Sequence, residues 1–273
     1  MKYVSVCGCE FTNDHKLPEG FTSEEYERIM RSVFTFPNAK ISRAYDWVYN
    51  FIAKVLLKGA SKGVGKDLVK IDLNKPDGKF LQNLQQNTHF FSGAKTYQQI
   101  KDVNSLLVKD GKRQAFADFK NDALPVLQDY NENWLKTEYN LAIGNGRQAS
   151  DWQDYEADKE TFPFLQYITA KDGRVREEHA ELDGIIKEVD HPFWDTWMPK
   201  NGYGCRCRTI KLDEGSPTNL AGKNLPEISK DFAFNPGKKQ IIYSPEHPYF
   251  KNIDKKDLPL AQRNFDFKIP NNG

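Results

Sequence analysis

No apolar run in this 273-residue sequence approaches the roughly 20 residues that a bilayer-spanning helix needs, and its mean hydropathy is low, −0.72. A soluble chain with no membrane partner is expected. Net charge is nearly absent: 39 Lys and Arg against 38 Asp and Glu leave +1. The chain as a whole therefore sets up no field that would gather nucleic acid or anionic lipid, and any such contact needs a local patch. The apolar stretch after Met1 and Lys2 is too short for the h-region of an export signal, about 7 to 15 residues. Cysteine is scarce, four residues in two C-x-C pairs (Cys7 with Cys9, Cys205 with Cys207) and no C-x-x-C pair. A disulfide scaffold is excluded on that count, and a reducing compartment is expected. A phosphate-binding loop is also lacking. The glycines at Gly59, Gly63 and Gly65 precede Lys66 with the wrong spacing, and Asp67 stands where a magnesium-binding hydroxyl is needed. Lys58 to Lys66 reads instead as a flexible linker.

What is present begins with helical patterning. Tyr3 to Phe11 reads as an edge strand or a loose arm. Thr22 with Glu25 three residues on forms a capping box, which starts a helix to about Phe34. Apolar residues at Ile41, Ala44, Tyr45, Val48, Ile52, Val55 and Leu56 keep the three-and-four spacing of an amphipathic helix. Helical pattern resumes at Lys79 and breaks at Ser92-Gly93. A further helix spans Ala94 to Val108 and is closed by Asp110-Gly111. One or two more run from Gln114 to Ile143, with Pro125 marking a start or kink and the end near Gly144 or Gly146. Beyond Asp213, Gly, Pro, Ser, Asn and Lys dominate, which predicts an extended, turn-rich tail in which Gln240 to Tyr243 could add a strand.

Nearly all residue types capable of site chemistry lie in one stretch, Tyr167 to Ile210. A short strand over Tyr167-Ile168-Thr169 leads to a turn at Asp172-Gly173. One or two helical turns then bear His179 and stop at Asp183-Gly184, where a glycine cap is available. Ile185 to Val189 is a second strand, ended by Pro192. The Gly/Asn-rich loop Pro199 to Gly204 delivers Cys205-Arg206-Cys207 onto a third strand, Arg208 to Leu212. Extended residues two apart face one side, so both sulfurs can approach one ion. His179, Cys205 and Cys207 are candidate zinc ligands, because zinc prefers thiolate and imidazole. The fourth ligand is open among Asp172, His191, a water, or a set in which Cys7 and Cys9 join the other cysteines. Against this stands a reading with a hydrogen-bonded core histidine and small buried cysteines, favoured by the missing C-x-x-C spacing. Asp172 and Arg174 read as a turn-fixing ion pair. Phe193, Trp194 and Trp197 are either a lid over the small core or an exposed interface.

The order Asp172-x-Arg174-x-x-x-x-His179-x-x-Leu182-Asp183-Gly184, then Pro192-Phe193-Trp194, Pro199 and Cys205-Arg206-Cys207, resembles the signature of phage Mu F-like minor head proteins, also called phage head morphogenesis proteins. The segments FFSGAKTYQQIKDVNSLL and YNENWLKTEYNLA are similar to prophage members of that family. The resemblance implies a minor capsid component that associates with the portal and other capsid proteins during procapsid assembly in the bacterial host cytoplasm. It would end in the capsid interior of the virion, where it could touch packaged phage DNA. Asp172, Arg174, Asp183, Gly184, Pro192 and Arg206 would then be motif residues with structural roles. A basic and aromatic run (Lys238-Lys239, Tyr243, Tyr249, Phe250, Lys251, Lys255-Lys256) is a candidate phosphate contact or simply a solvated face. A nuclease or toxin-related hydrolase using His179 with Asp172 or Asp183 and Arg174 or Arg206 is the alternative. The fold expected is α+β: a helical scaffold over 1–155, a small α/β motif domain over 156–213 and a Pro-rich tail over 214–273.

Overall fold

A computed structural model of the chain describes residues 15–36 and 43–257, with side chains from 45 onward in the second segment. The expected arm at Tyr3 to Phe11 lies outside the described residues. Helix α1 (Ser23–Thr35) starts where the capping box places it: Thr22 Oγ1 accepts from the Glu25 amide, and Glu25 Oε2 accepts from the Thr22 amide. Helix α2 (Arg43–Val64) takes in most of the Lys58 to Lys66 segment read as a linker and ends just before Gly65. The reason lies across the interface with α5 (Leu135–Asp158), the most extensive helix pair in the fold. A Cβ on Gly63 would sit 2.2 Å from the Ile143 carbonyl oxygen, and one on Gly146 would sit 2.8 Å from that of Ala60. These glycines let two backbones touch, and that contact outweighs their weak helix propensity.

The same override joins the two helices expected around Ser92-Gly93 into one, α3 (Gly78–Ser105). There Ser92 Oγ donates to the Thr88 carbonyl, and the Gly93 carbonyl accepts from Tyr45 Oη. Asp110 and Gly111, both with positive φ, turn a two-residue hairpin of β1 (Val108–Lys109) and β2 (Lys112–Arg113). Helix α4 (Phe116–Gln128) contains Pro125, and a π-helical turn (Asp129–Trp134) hands it on to α5. Helix α5 therefore passes Gly144 and Gly146 without stopping.

A three-stranded antiparallel sheet follows, in the order β4 (Ile186–Glu188), β3 (Phe164–Ile168), β5 (Arg208–Leu212). Its register pairs Gln166 with both Ile186 and Ile210, and Tyr167 with Thr209. Both outer edges are covered. Thr218 exchanges two hydrogen bonds with Ile186, while Tyr155 Oη and Lys200 Nζ donate to the Thr209 and Cys207 carbonyls. Leu165 and Tyr167 point inward to a cluster with Trp152, Tyr155, Leu182, Phe193, Trp194 and Met198, so α5 belongs to both cores: its first half lines the helical one, its last turns the floor of the sheet. The fold is α+β.

As far as residue 257 the tail, expected to be extended and turn-rich, is turn-rich but docked on the helices; its remainder lies outside the described residues. Gln240 to Tyr243 forms no strand; instead, Ile228, Phe232, Ile242 and Tyr243 join the helical core. Asn87 Oδ1 accepts from the Ile242 and Tyr243 amides while its Nδ2 donates to the Tyr243 carbonyl, and Tyr243 stacks on Phe91 at 3.7 Å. Lys238 and Lys251 of the basic run are engaged with Asp195 and Glu246.

Candidate metal centre

Helix α6 (Glu177–Ala180) is a single turn between β3 and β4 in the chain, and it carries His179 at 3% exposure. Gly184, at φ 81°, reverses the chain after it, and the Gly184 amide donates to the Tyr167 carbonyl. From the other side, the loop after Met198 brings in the two cysteines. Asn201 fixes that loop: its Oδ1 accepts from Tyr167 Oη at 2.9 Å, and its Nδ2 donates to the Met198 carbonyl at 3.1 Å. Gly204, at φ 71°, makes the last turn before Cys205.

The consequence is that the ligand atoms of His179, Cys205 and Cys207 lie within 4.8 Å of one another, with Cys207 Sγ 3.9 Å from His179 Nδ1. All three residues are buried. Two sulfurs and an imidazole nitrogen at this mutual distance suit a tetrahedral thiophilic ion. Electrostatics favour one thiolate already. A hydrogen bond from the Cys207 thiol pushes the Cys205 thiol well down, against burial, with further help from His179 and from the positive charge of Lys200. Cys207 is pushed up in turn and holds its proton, first because of Cys205 and then because of burial. Burial pulls the His179 imidazole down, but its contact with Cys205 outweighs this and the net shift is upward.

The remaining motif residues surround this triad without joining it. Asp172 takes both terminal nitrogens of Arg206 at 2.5 Å, which holds its carboxyl below the usual carboxylate range, whereas Arg174 reaches it only at 3.6 Å. The expected Asp172–Arg174 pair is thus secondary to Asp172–Arg206. Asp183 accepts from the amide and hydroxyl of Thr169 and tethers the helical turn to the sheet. His191 Nδ1 accepts from the Phe193 amide and starts the turn α7 (Phe193–Thr196), after Pro192. Neither Asp172 nor His191 is in the cluster with the triad, and Cys7 and Cys9 lie outside the described residues. Phe193 and Trp194 are at 2% and 0% exposure and Trp197 is half-buried, so the first two offer no surface to a partner in this conformation. Their placement is that of a lid, with Trp194 Nε1 donating to the Glu188 carbonyl.

Two contributors had no signal in the sequence. Lys200 lies with its stem against Gly144 of α5 and donates to the Cys207 carbonyl at 2.8 Å, while burial lowers its own proton affinity. Arg176 donates to the Tyr203 carbonyl at 2.6 Å across the mouth of the site. A lysine after proline and an arginine between valine and glutamate are ordinary surface patterns, and only tertiary packing brings them here.

Residues 85–210 match the family described as "Phage Mu protein F like protein". Over 78 residues, 29% of this chain, the sequence is 36% identical to a protein of Escherichia phage Mu named for capsid assembly, protein F. It is 42% identical over 52 residues, 19% of the chain, to the Mu-like prophage FluMu F protein of Haemophilus influenzae. These stretches cover 18% and 13% of the respective relatives, less than a fifth of either. No solved structure matches.

Proposed function

We propose, from the match of residues 85–210 to the Phage Mu F-like family, that this chain is a minor head component that joins the portal and neighbouring capsid proteins during assembly in the host and ends inside the capsid near packaged DNA. The observation that carries the reading is the match itself, which runs without a break from within α3 through α5 and the Cys205-Arg206-Cys207 segment to the middle of β5. Co-purification tests it: the tagged chain, co-expressed with the portal protein of the same phage or prophage, retains the portal through a salt wash. Recovery of the chain alone, with the portal remaining in the flow-through, would remove the portal from the account.

Within that protein, the triad of His179, Cys205 and Cys207 binds zinc as a staple between the helical turn and β5. Structural zinc adds directly to folding free energy, because the unfolded chain holds no preformed site. Elemental analysis of the purified chain is expected to give close to one zinc, lost in Cys207→Ser. Zinc-free protein with wild-type stability would return the triad to a packed core. The division into a scaffold over 1–155, a motif domain over 156–213 and a tail over 214–273 is retained as a proposal, with α5 and the docked tail as the elements that would couple the three.

A further inference from the structure

The triad supplies three ligands, one short of the four that zinc takes, and a three-ligand site keeps its last position for water or an exogenous ligand. His179, Cys205 and Cys207 also border a cavity of about 120 Å³. That is room for several waters or one tetrahedral anion, since a water's share of liquid volume is roughly 30 Å³. The other polar side chains on its walls are those of Arg174, Arg176, Arg206 and Tyr203, and no carboxylate lines it among the described residues.

The three arginines are not equally committed. Arg206 gives both terminal nitrogens to Asp172 and has a side-chain exposure of 12%. Arg174 is 78% exposed and held only by a 3.6 Å approach to the same carboxylate. Arg176 spends Nη2 on the Tyr203 carbonyl, and its Nη1 lies over Gly202, where even a Cβ would come within 3.0 Å. A divalent ion with two thiolates and a neutral imidazole carries no net charge. Arg206 is neutralised by Asp172, so Arg174 and Arg176 leave two positive charges facing the cavity.

We propose that this cavity binds a tetrahedral oxyanion of the phosphate class, gripped by Arg174 and Arg176 and completing the coordination of the metal at His179, Cys205 and Cys207. Guanidinium forks match phosphate oxygens in geometry as well as charge, and a hard oxygen ligand suits the open corner of zinc. With no carboxylate on the walls among the described residues, nothing there repels the anion. The inference rests on the metal reading of the triad.

Cobalt(II) substitution in the full chain separates the two. Sulfur-to-cobalt charge-transfer bands, lost in Cys207→Ser, report the metal site by themselves; their absence refutes the metal reading and the anion proposal with it. Given those bands, titration with inorganic phosphate is expected to shift the d–d spectrum to saturation. Arg174→Ala and Arg176→Ala should each weaken that binding about tenfold or more, as expected for loss of a charge-assisted bond, while leaving the charge-transfer bands unchanged. A spectrum indifferent to phosphate, or a phosphate response untouched by both substitutions, overturns the anion proposal and leaves the metal site standing. A short single-stranded DNA oligomer run in parallel identifies the source. The same shift at lower phosphate concentration points to the nucleic acid backbone, and a shift with inorganic phosphate only points to the free ion.

Discussion

Lys95 of α3 and Glu138 of α5 form an ion pair with side-chain exposures of 0% and 3% and a closest approach of 2.9 Å. Tyr249 of the docked tail donates to Glu138 Oε1 at 2.9 Å, and the Lys95 ammonium lies 5.2 Å and 5.3 Å from the Tyr130 and Tyr249 ring centres. At an effective dielectric of 20 the mutual attraction at that distance is about 6 kcal/mol. Desolvation costs several kcal/mol for each ion. The two effects nearly cancel, and the titration tendencies agree: burial pulls Lys95 down and pushes Glu138 up, each toward its neutral form. Stability is therefore expected to depend on keeping both partners or neither. Lys95→Met strands a buried carboxylate and Glu138→Gln strands a buried ammonium, and each is expected to cost about 3–5 kcal/mol. The double variant, in which the Gln amide oxygen still accepts from Tyr249, should lose less than about 2 kcal/mol. Urea unfolding of the four proteins, followed by tryptophan fluorescence, gives the coupling energy, expected to exceed about 3 kcal/mol. Single losses that add to within about 0.5 kcal/mol would refute the reasoning.

At Gly63, substitution by Ala in α2 drives a methyl into the Ile143 carbonyl oxygen. A loss of at least about 1–3 kcal/mol is expected from the overpacking, although Ala is otherwise the better helix former; a neutral or stabilised variant would mean that α2 and α5 do not meet there. His247 gives a pH dependence. Burial lowers it from 6.5 to about 4; its Nδ1 accepts from the Tyr249 amide at 3.2 Å and its Nε2 lies 2.8 Å from Tyr203 Oη. A depressed histidine binds its proton more readily when unfolded, so its contribution is complete above pH 6.5 and is lost as pH falls toward 4. At about 1.4 kcal/mol per unit, the loss is bounded by about 3 kcal/mol. Wild type should lose that much relative to His247→Gln between pH 7 and pH 4, and parallel stability curves would show that His247 is not the titrating group.

The sequence determined the elements whose cause is local. The capping box started α1 and the alternation in Arg208 to Leu212 made a strand, because hydrogen bonding and side-chain alternation within a few residues were enough to select each. Asp110-Gly111, expected to close a helix reaching Val108, instead turns a hairpin: the helix ends at Ser105 and Val108 lies in β1. The sequence also held the order of residues that matches the Phage Mu F-like family and placed His179 ahead of a C-x-C pair. What it misjudged were the glycines at 59, 63, 93, 144 and 146, which read as linkers and stops. Glycine's local preference is weak, and whether it breaks a helix or admits a neighbouring backbone depends on what lies across the interface. Tertiary structure alone decided that α2 and α5 meet at Gly59, Gly63 and Gly146 and that the Pro-rich tail docks through Asn87 and Tyr243. It alone gave Asp172 to Arg206 and closed Lys200 behind the sulfurs. Each of those pairings joins residues separated by at least 34 positions or by a whole element, with the single exception of Lys200. At that range, packing and charge complementarity select the partner, and no pattern along the chain encodes them.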